Sequence, residues 1–137
     1  MRGLDSNILV YALNEDLPEH LPCKELLVDI AKGKHLVSIP SIVFMESFHA
    51  LVKAFKFKET EVKKRLIAII DSKNINVLDV STSSILLAFE IANKYKTGGR
   101  DSLIAACLLE NNIQEIYSHD SDFDKIKLIT RVDPIKC

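Results

Sequence analysis

Short apolar runs alternate along this chain with longer stretches of helical period, and that alternation leaves few architectures open. Gly3-Leu4 is a minimal strand, followed by a helix through Ile8 to Leu13 that Asn14 to Pro18 breaks. From about Glu19 to Lys32, the residues Leu21, Leu26, Leu27, Ile30 and Ala31 recur at helical spacing, and Gly33 ends the run. His35 to Ile39 reads as a strand, after which Pro40 stands where a first helical turn tolerates it. The spacing of Val43, Phe44, Ser47, Leu51 and Phe55 predicts an amphipathic helix, with Val43, Phe44, Phe48, Leu51 and Phe55 as core. A further helix is expected over Glu59 to Asp71, with Val62, Leu66, Ile69 and Ile70 inward. Ile75 to Val80 is a strand, and Ser81 to Lys94 a helix whose leading Ser/Thr cluster can cap it. Gly98-Gly99 forms a loop, Asp101 to Glu110 a helix, Ile113 to Tyr117 a strand and Ile126 to Ile129 a last short one. Strands interleaved with helices predict an α/β fold with a mostly parallel, short-stranded central sheet.

The 137 residues predict one domain spanning 1–137, and 47% hydrophobic with 27% charged residues is the balance of a globular chain. A chain of this size buries roughly 68% of its unfolded surface, so it needs no disulfide or structural zinc. Cys23, Cys107 and Cys137 form no ligand-like spacing, and Cys107 lies in the apolar run 103–109 as a small core residue. Scattered thiols, no bilayer-length apolar stretch and no signal-peptide core predict a cytoplasmic protein without a membrane partner. The net charge of −1 supplies no global positive field for nucleic acid.

In parallel sheets, functional groups collect at the carboxyl ends of strands. Two acidic elements fall there: Asp5 after the first strand, and Asp120 with Asp122 after the strand ending at Tyr117. Glu46 sits early in a helix among apolar Phe44, Met45 and Phe48, and Asp101 opens an apolar helix after Gly98-Gly99-Arg100. Each has a local reading. Asp5 and Asp101 suit helix N-caps, Glu46 a solvated side chain, and Asp120 and Asp122 a turn. Convergence would change the chemistry, because ionised carboxylates about 4 Å apart repel by roughly 4 kcal/mol at an effective dielectric near 20. A cluster of three or four then calls for a cation or for raised pKa values. Hard oxygen ligands select Mg²⁺ or Mn²⁺.

The ordered set resembles the PIN-domain nucleases. Leu4-Asp5-Ser6-Asn7-Ile8-Leu9 is similar to their opening motif, Glu46 to their second acid, and Arg100-Asp101-Ser102-Leu103-Ile104-Ala105-Ala106 to their third. Ser118-His119-Asp120-Ser121-Asp122-Phe123 resembles the variable fourth motif, at which either Asp120 or Asp122 is the direct ligand. The size resembles the VapC-like toxin branch. The resemblance implies a three-layer α/β/α fold and metal-dependent hydrolysis of RNA, with one or two Mg²⁺ or Mn²⁺ ions held by Asp5, Asp101 and Asp120 or Asp122. Glu46 would join directly, through water, or as proton acceptor. The resemblance also implies an antitoxin partner and a homodimer. Beside the resemblance, the Ser6 and Ser118 hydroxyls suit an outer role at the metal or a turn, Asn7 an outer, structural link, and Arg100, adjoining Asp101, a phosphate contact or an ion pair with a neighbouring carboxylate.

A basic stretch, Lys53, Lys56, Lys58, Lys63, Lys64 and Arg65, offers a second phosphate-contacting surface or a solvated helix face, and Lys94 and Lys96 precede Arg100. His119 is left outside the catalytic set. Two other classes compete. A phosphatase or phosphoacceptor on a similar sheet needs a strand-end lysine that the sequence does not supply. A degenerate RNA- or protein-binding domain has no electrostatic reason to keep four acids.

Overall fold

The computed structural model describes residues 1–135, so Cys137 lies outside the described residues. Five strands, β1 (Arg2–Leu4), β2 (Val37–Pro40), β3 (Ile75–Leu78), β4 (Glu115–Tyr117) and β5 (Thr130–Val132), form one sheet in the order β3-β2-β1-β4-β5. Every pairing is parallel. Six α-helices accompany it: α1 (Ser6–Leu13), α2 (His20–Ala31), α3 (Ser41–His49), α4 (Glu59–Ile70), α5 (Thr82–Tyr95) and α6 (Gly99–Glu110). They pack as two groups, α1 to α4 linked through α1–α2, α1–α3 and α3–α4 contacts, and α5 against α6. This is the expected three-layer α/β/α arrangement.

The sheet order reverses at β1. The chain leaves that strand toward β2 and β3, then returns to add β4 and β5 on the other side. A crevice at the carboxyl ends of β1 and β4 follows from such a switch point. Leu4 pairs with Tyr117, and the Asp5 N–H continues the ladder to Tyr117 O at 3.0 Å, so Asp5 leaves the sheet beside the exit of β4. Helix α6 crosses β1 closely: a Cβ on Gly3 would stand 2.5 Å from both Leu108 Cδ atoms. Leu108 is buried two turns beyond Asp101, which orients the start of α6 toward the same crevice.

Local chemistry accounts for most element boundaries. The Ser81 hydroxyl accepts from Ser84 N–H and the Ser84 hydroxyl from Ser81 N–H, each at 3.2 Å, a reciprocal cap that starts α5. Pro40 is the last residue of β2 and the cap of α3, rather than a first-turn residue. Beyond α3 the helix widens into a π turn, Ala50–Ala54, with Phe55 N–H donating to Ala50 O at 3.2 Å. That change of pitch keeps Leu51 buried and swings Phe55 to 38% exposure, so Phe55 does not join the core expected of it. Leu21 and Ile70 are also exposed, whereas Val62 and Leu66 are buried as expected. The last strand lies at Thr130–Val132, not at Ile126 to Ile129. Ile126 and Ile129 are buried, but as anchors of the turn that follows a 3-10 helix over Ser121–Lys125. Among the described residues, no helix is long and apolar enough to cross a membrane.

Candidate metal centre

Asp5, Ser6, Asn7, Glu46, Gly98, Gly99, Arg100, Asp101, Asp120 and Asp122 line one open cleft of about 640 Å³ at the carboxyl ends of β1 and β4. All five acids singled out in the sequence meet there. Asp5 is buried and caps α1: its Oδ1 accepts from Ser6 N–H at 2.7 Å and its Oδ2 from the Ser118 hydroxyl at 2.7 Å. The Ser118 hydroxyl in turn accepts from Asp120 N–H at 3.0 Å, so one buried serine links two acids carried by neighbouring strand ends. Asp120 Oδ1 accepts from Asp122 N–H at 2.9 Å, which starts the 3-10 turn. Asp101 is not an N-cap. Gly98 holds that position, leaving the Asp101 carboxylate within the first turn of α6, where the helix N-terminus favours negative charge.

Asp101, Asp120 and Asp122 each present an oxygen, and the three oxygens lie within 4.8 Å of one another. Glu46 Oε2 stands 3.5 Å from Arg100 Nε, an exposed guanidinium against a carboxylate only 12% exposed. Glu46 Oε1 and Asn7 Oδ1 are buried without a hydrogen-bond partner among the described residues. Two orphaned acceptors in one crevice are costly unless something outside the chain satisfies them.

The electrostatics carry the same signature. Burial pushes the Asp5 carboxyl up to about 6, even though Ser118 and the Ser6 N–H favour its charged form, and Glu46 and Asp120 add repulsion. Asp101 is likewise raised to about 6, first by burial and then by the charges of Asp120, Asp5 and Asp122. Glu46 is raised by burial, with Arg100 and the Ser6 side chain opposing and Asp101 reinforcing the shift. Arg100 is the sole cationic lining residue among those described, and none of the basic run from Lys53 to Arg65 lines the cleft. An all-oxygen donor set, crowded carboxylates and orphaned acceptors fit a hard divalent cation, and among the described residues no Cys or His lines the cleft to favour a softer one.

A network that the sequence does not reveal lies behind the segment after β4. Arg131, on β5, reaches Asp124, Asp133 and the Ser118 carbonyl, and His119 Nδ1 lies 2.9 Å from Asp133 Oδ2. No spacing in the sequence marks Arg131, because its partners come together only through the pairing of β5 with β4.

A family model described as PIN domain matches residues 4–128. No curated protein matches the sequence significantly. Among solved structures, the chain is similar to Mycobacterium tuberculosis VapC20, described as a toxin cleaving the sarcin–ricin loop. There the identity is 20% and the TM-score 0.76, over 90% of this chain and 93% of that one. It is similar to VapBC2 from Rickettsia felis, bound to a promoter DNA fragment, at 23% identity and TM-score 0.67, over 96% and 97% of the two chains. A toxin–antitoxin complex from Klebsiella pneumoniae matches at 20% identity and TM-score 0.68, over 98% of each chain.

Proposed function

This chain belongs to the PIN-domain family, and from that premise we propose that it is a divalent-metal-dependent endoribonuclease, the toxin of a toxin–antitoxin pair. The observation that carries the reading is the meeting of Asp5, Glu46, Asp101, Asp120 and Asp122 in one cleft at the switch point of the sheet. Asp101, Asp120 and Asp122 hold Mg²⁺ or Mn²⁺, with Asp5 completing the negative wall. The bound cation supplies Lewis-acid chemistry to a phosphodiester and lowers the pKa of water. Glu46, its carboxyl raised by burial, lines the cleft and is suited to take a proton from an attacking water. Arg100, largely exposed beside Glu46, is placed to meet an incoming RNA phosphate. Ser118 holds the Asp5 carboxylate and the Asp120 backbone in one register, and Ser6 fixes Asp5 through its N–H. Asn7 offers its buried Oδ1 to the cleft as a further acceptor.

The proposal extends to one domain over residues 1–137, an antitoxin partner, a homodimer and a cytoplasmic setting. The antitoxin is supported by the toxin–antitoxin complexes among the similar structures. Exposed Ile85, Leu86 and Phe89 along α5, with Met45 on α3, offer apolar surface for protein contact.

The test is cleavage of labelled RNA by the purified chain in Mg²⁺ or Mn²⁺, with excess EDTA and with zinc. Cleavage silenced by EDTA and poorly supported by zinc is expected. Ready turnover of small phosphate monoesters with RNA left intact would replace the reading by the phosphatase class.

A further inference from the structure

The carboxylates nearest to one another do not rest on equally firm supports. Asp101 rides on α6, whose middle is buried, whereas Asp120 caps a single 3-10 turn after β4 and Asp122 lies within it. Asp122 is exposed and paired with Lys125 at 3.3 Å, and Phe123 is the one buried side chain of that turn. Cation binding at three oxygens from two supports requires the weaker one to be held in place before the ion arrives.

Arg131 supplies such a hold. Its Nε and Nη2 grip both oxygens of Asp124 at 3.0 Å each, a planar fork that an ammonium cannot reproduce. Its Nη1 reaches Asp133 Oδ2 at 3.3 Å and the Ser118 carbonyl at 3.4 Å. Asp133, nearly fully buried, also takes His119 Nδ1 at 2.9 Å and accepts from Ile135 N–H at 3.0 Å. One guanidinium on β5 therefore ties down Ser118 directly and His119 through Asp133, just before the two carboxylates, and Asp124 just after them. Among the described residues, no hydrogen bond or ion pair joins it to Asp120 or Asp122.

We propose that Arg131 is a positioning residue for cation binding, bracketing the loop that carries Asp120 and Asp122 so that their carboxylates stay within reach of Asp101. The inference rests on the reading of the cleft as a divalent-cation site. Loss of an outer partner of a metal site typically lowers affinity by roughly 10–100-fold.

The experiment is a Mn²⁺ titration of the full chain by calorimetry or by paramagnetic resonance of the free ion, run beside metal-free thermal unfolding and amide hydrogen exchange. Arg131→Gln is expected to weaken Mn²⁺ binding by about 10–100-fold, with Arg131→Lys between it and the wild type. In the metal-free variant the amides of Asp122 and Phe123 should exchange faster while those of β1 keep their protection. Asp124→Ala, which leaves the Arg131–Asp133 pair intact, should weaken binding in the same direction and carries the test if Arg131→Gln fails to fold. A folded variant with lower unfolding temperature but wild-type Mn²⁺ affinity overturns the proposal, because stitching down an edge strand would do only that. Failure of the wild-type chain itself to bind Mn²⁺ overturns the cation reading instead, and the two failures are told apart by that one titration.

Discussion

At the amino-terminal end of β1, Arg2 donates to the Tyr117 hydroxyl at 2.8 Å, lies 5.1 Å from the centre of its ring and stands 3.6 Å from Glu115. Nearby, Lys34 meets Asp29 at 3.6 Å. At the other end of the same strand, Asp5 is buried with only a hydroxyl and an N–H donating to it, and four more acids share its cleft with Arg100. The chain does not lack cations: it has 18 Lys and Arg against 19 Asp and Glu. Near the amino end of β1 they pair with the acids beside them, whereas among the described residues Arg100 is the one cation lining the cleft and Lys125 meets Asp122 at its exposed edge. A fold that pairs its charges elsewhere and crowds like charges here leaves the compensation to something that binds.

That contrast breaks most visibly at Asp101. Asp101→Asn keeps the shape and removes one negative charge from the oxygen cluster, so Mg²⁺-dependent RNA cleavage should fall by roughly 1,000-fold, the scale of losing a principal electrostatic group. Cleavage of labelled RNA at the wild-type rate by this variant would remove Asp101 from the site.

The second test uses pH on the metal-free protein. Asp5 ionises at about 6 in the fold, against about 3.9 when unfolded. Between those values the native state holds the extra proton, so this group's contribution to stability is present below about pH 4 and is lost as pH rises through about 6. For buried Asp5 the loss is on the order of 3 kcal/mol. Asp101, also raised to about 6, adds less because solvent screens it. Denaturant midpoints in EDTA, taken as the difference between wild type and Asp5→Asn, should widen in favour of the variant from pH 4 to pH 7. A difference that stays flat would show that Asp5 is not buried as a charge.

Adding the ion should reverse that loss. Mn²⁺ at about 100 times its dissociation constant stabilises the folded state by about 2.7 kcal/mol, which at this chain length raises the unfolding temperature by about 10 °C. Calorimetric scans at pH 7 with Mn²⁺ and with EDTA check it, and coincident scans would refute cation binding in the cleft.

The acids at strand ends and helix starts were legible because local chemistry and function coincide there. Asp5 is both the cap of α1 and a wall of the cleft, and Asp101 follows a Gly-Gly loop that starts α6. The alternation of apolar runs likewise revealed all but the last strand. Its failure at Ile126 and Ile129 is physical: two apolar residues three apart fit a buried turn as well as a strand, and burial alone does not choose. The π turn after α3 was equally hidden, since the stripe from Val43 to Phe55 is compatible with an unbroken helix. Arg131 was beyond reach for another reason. Its partners, Asp124, Asp133 and the Ser118 carbonyl, become neighbours only once β5 is registered beside β4, with Ile116 opposite Arg131.

The smallest effect belongs to the neutralised end of the sheet, and its smallness matters to the comparison. Arg2→Met removes an ion pair whose side chains are 37% and 45% exposed, together with a hydrogen bond and a ring contact to Tyr117. Exposed pairs contribute about 0–1 kcal/mol, and an exposed cation over a ring adds about 0.5–1 kcal/mol. The methionine keeps much of the apolar stem against Tyr117, so the net cost in a denaturant titration should be about 1 kcal/mol. Arg2 lies beyond the cleft, at the far end of β1, so Mn²⁺ affinity should stay at the wild-type value. If instead Arg2→Met weakened Mn²⁺ binding as Asp101→Asn does, the two ends of the sheet would be electrostatically coupled through β1 and β4. The division of labour between a neutralised end and a charged one would then fail.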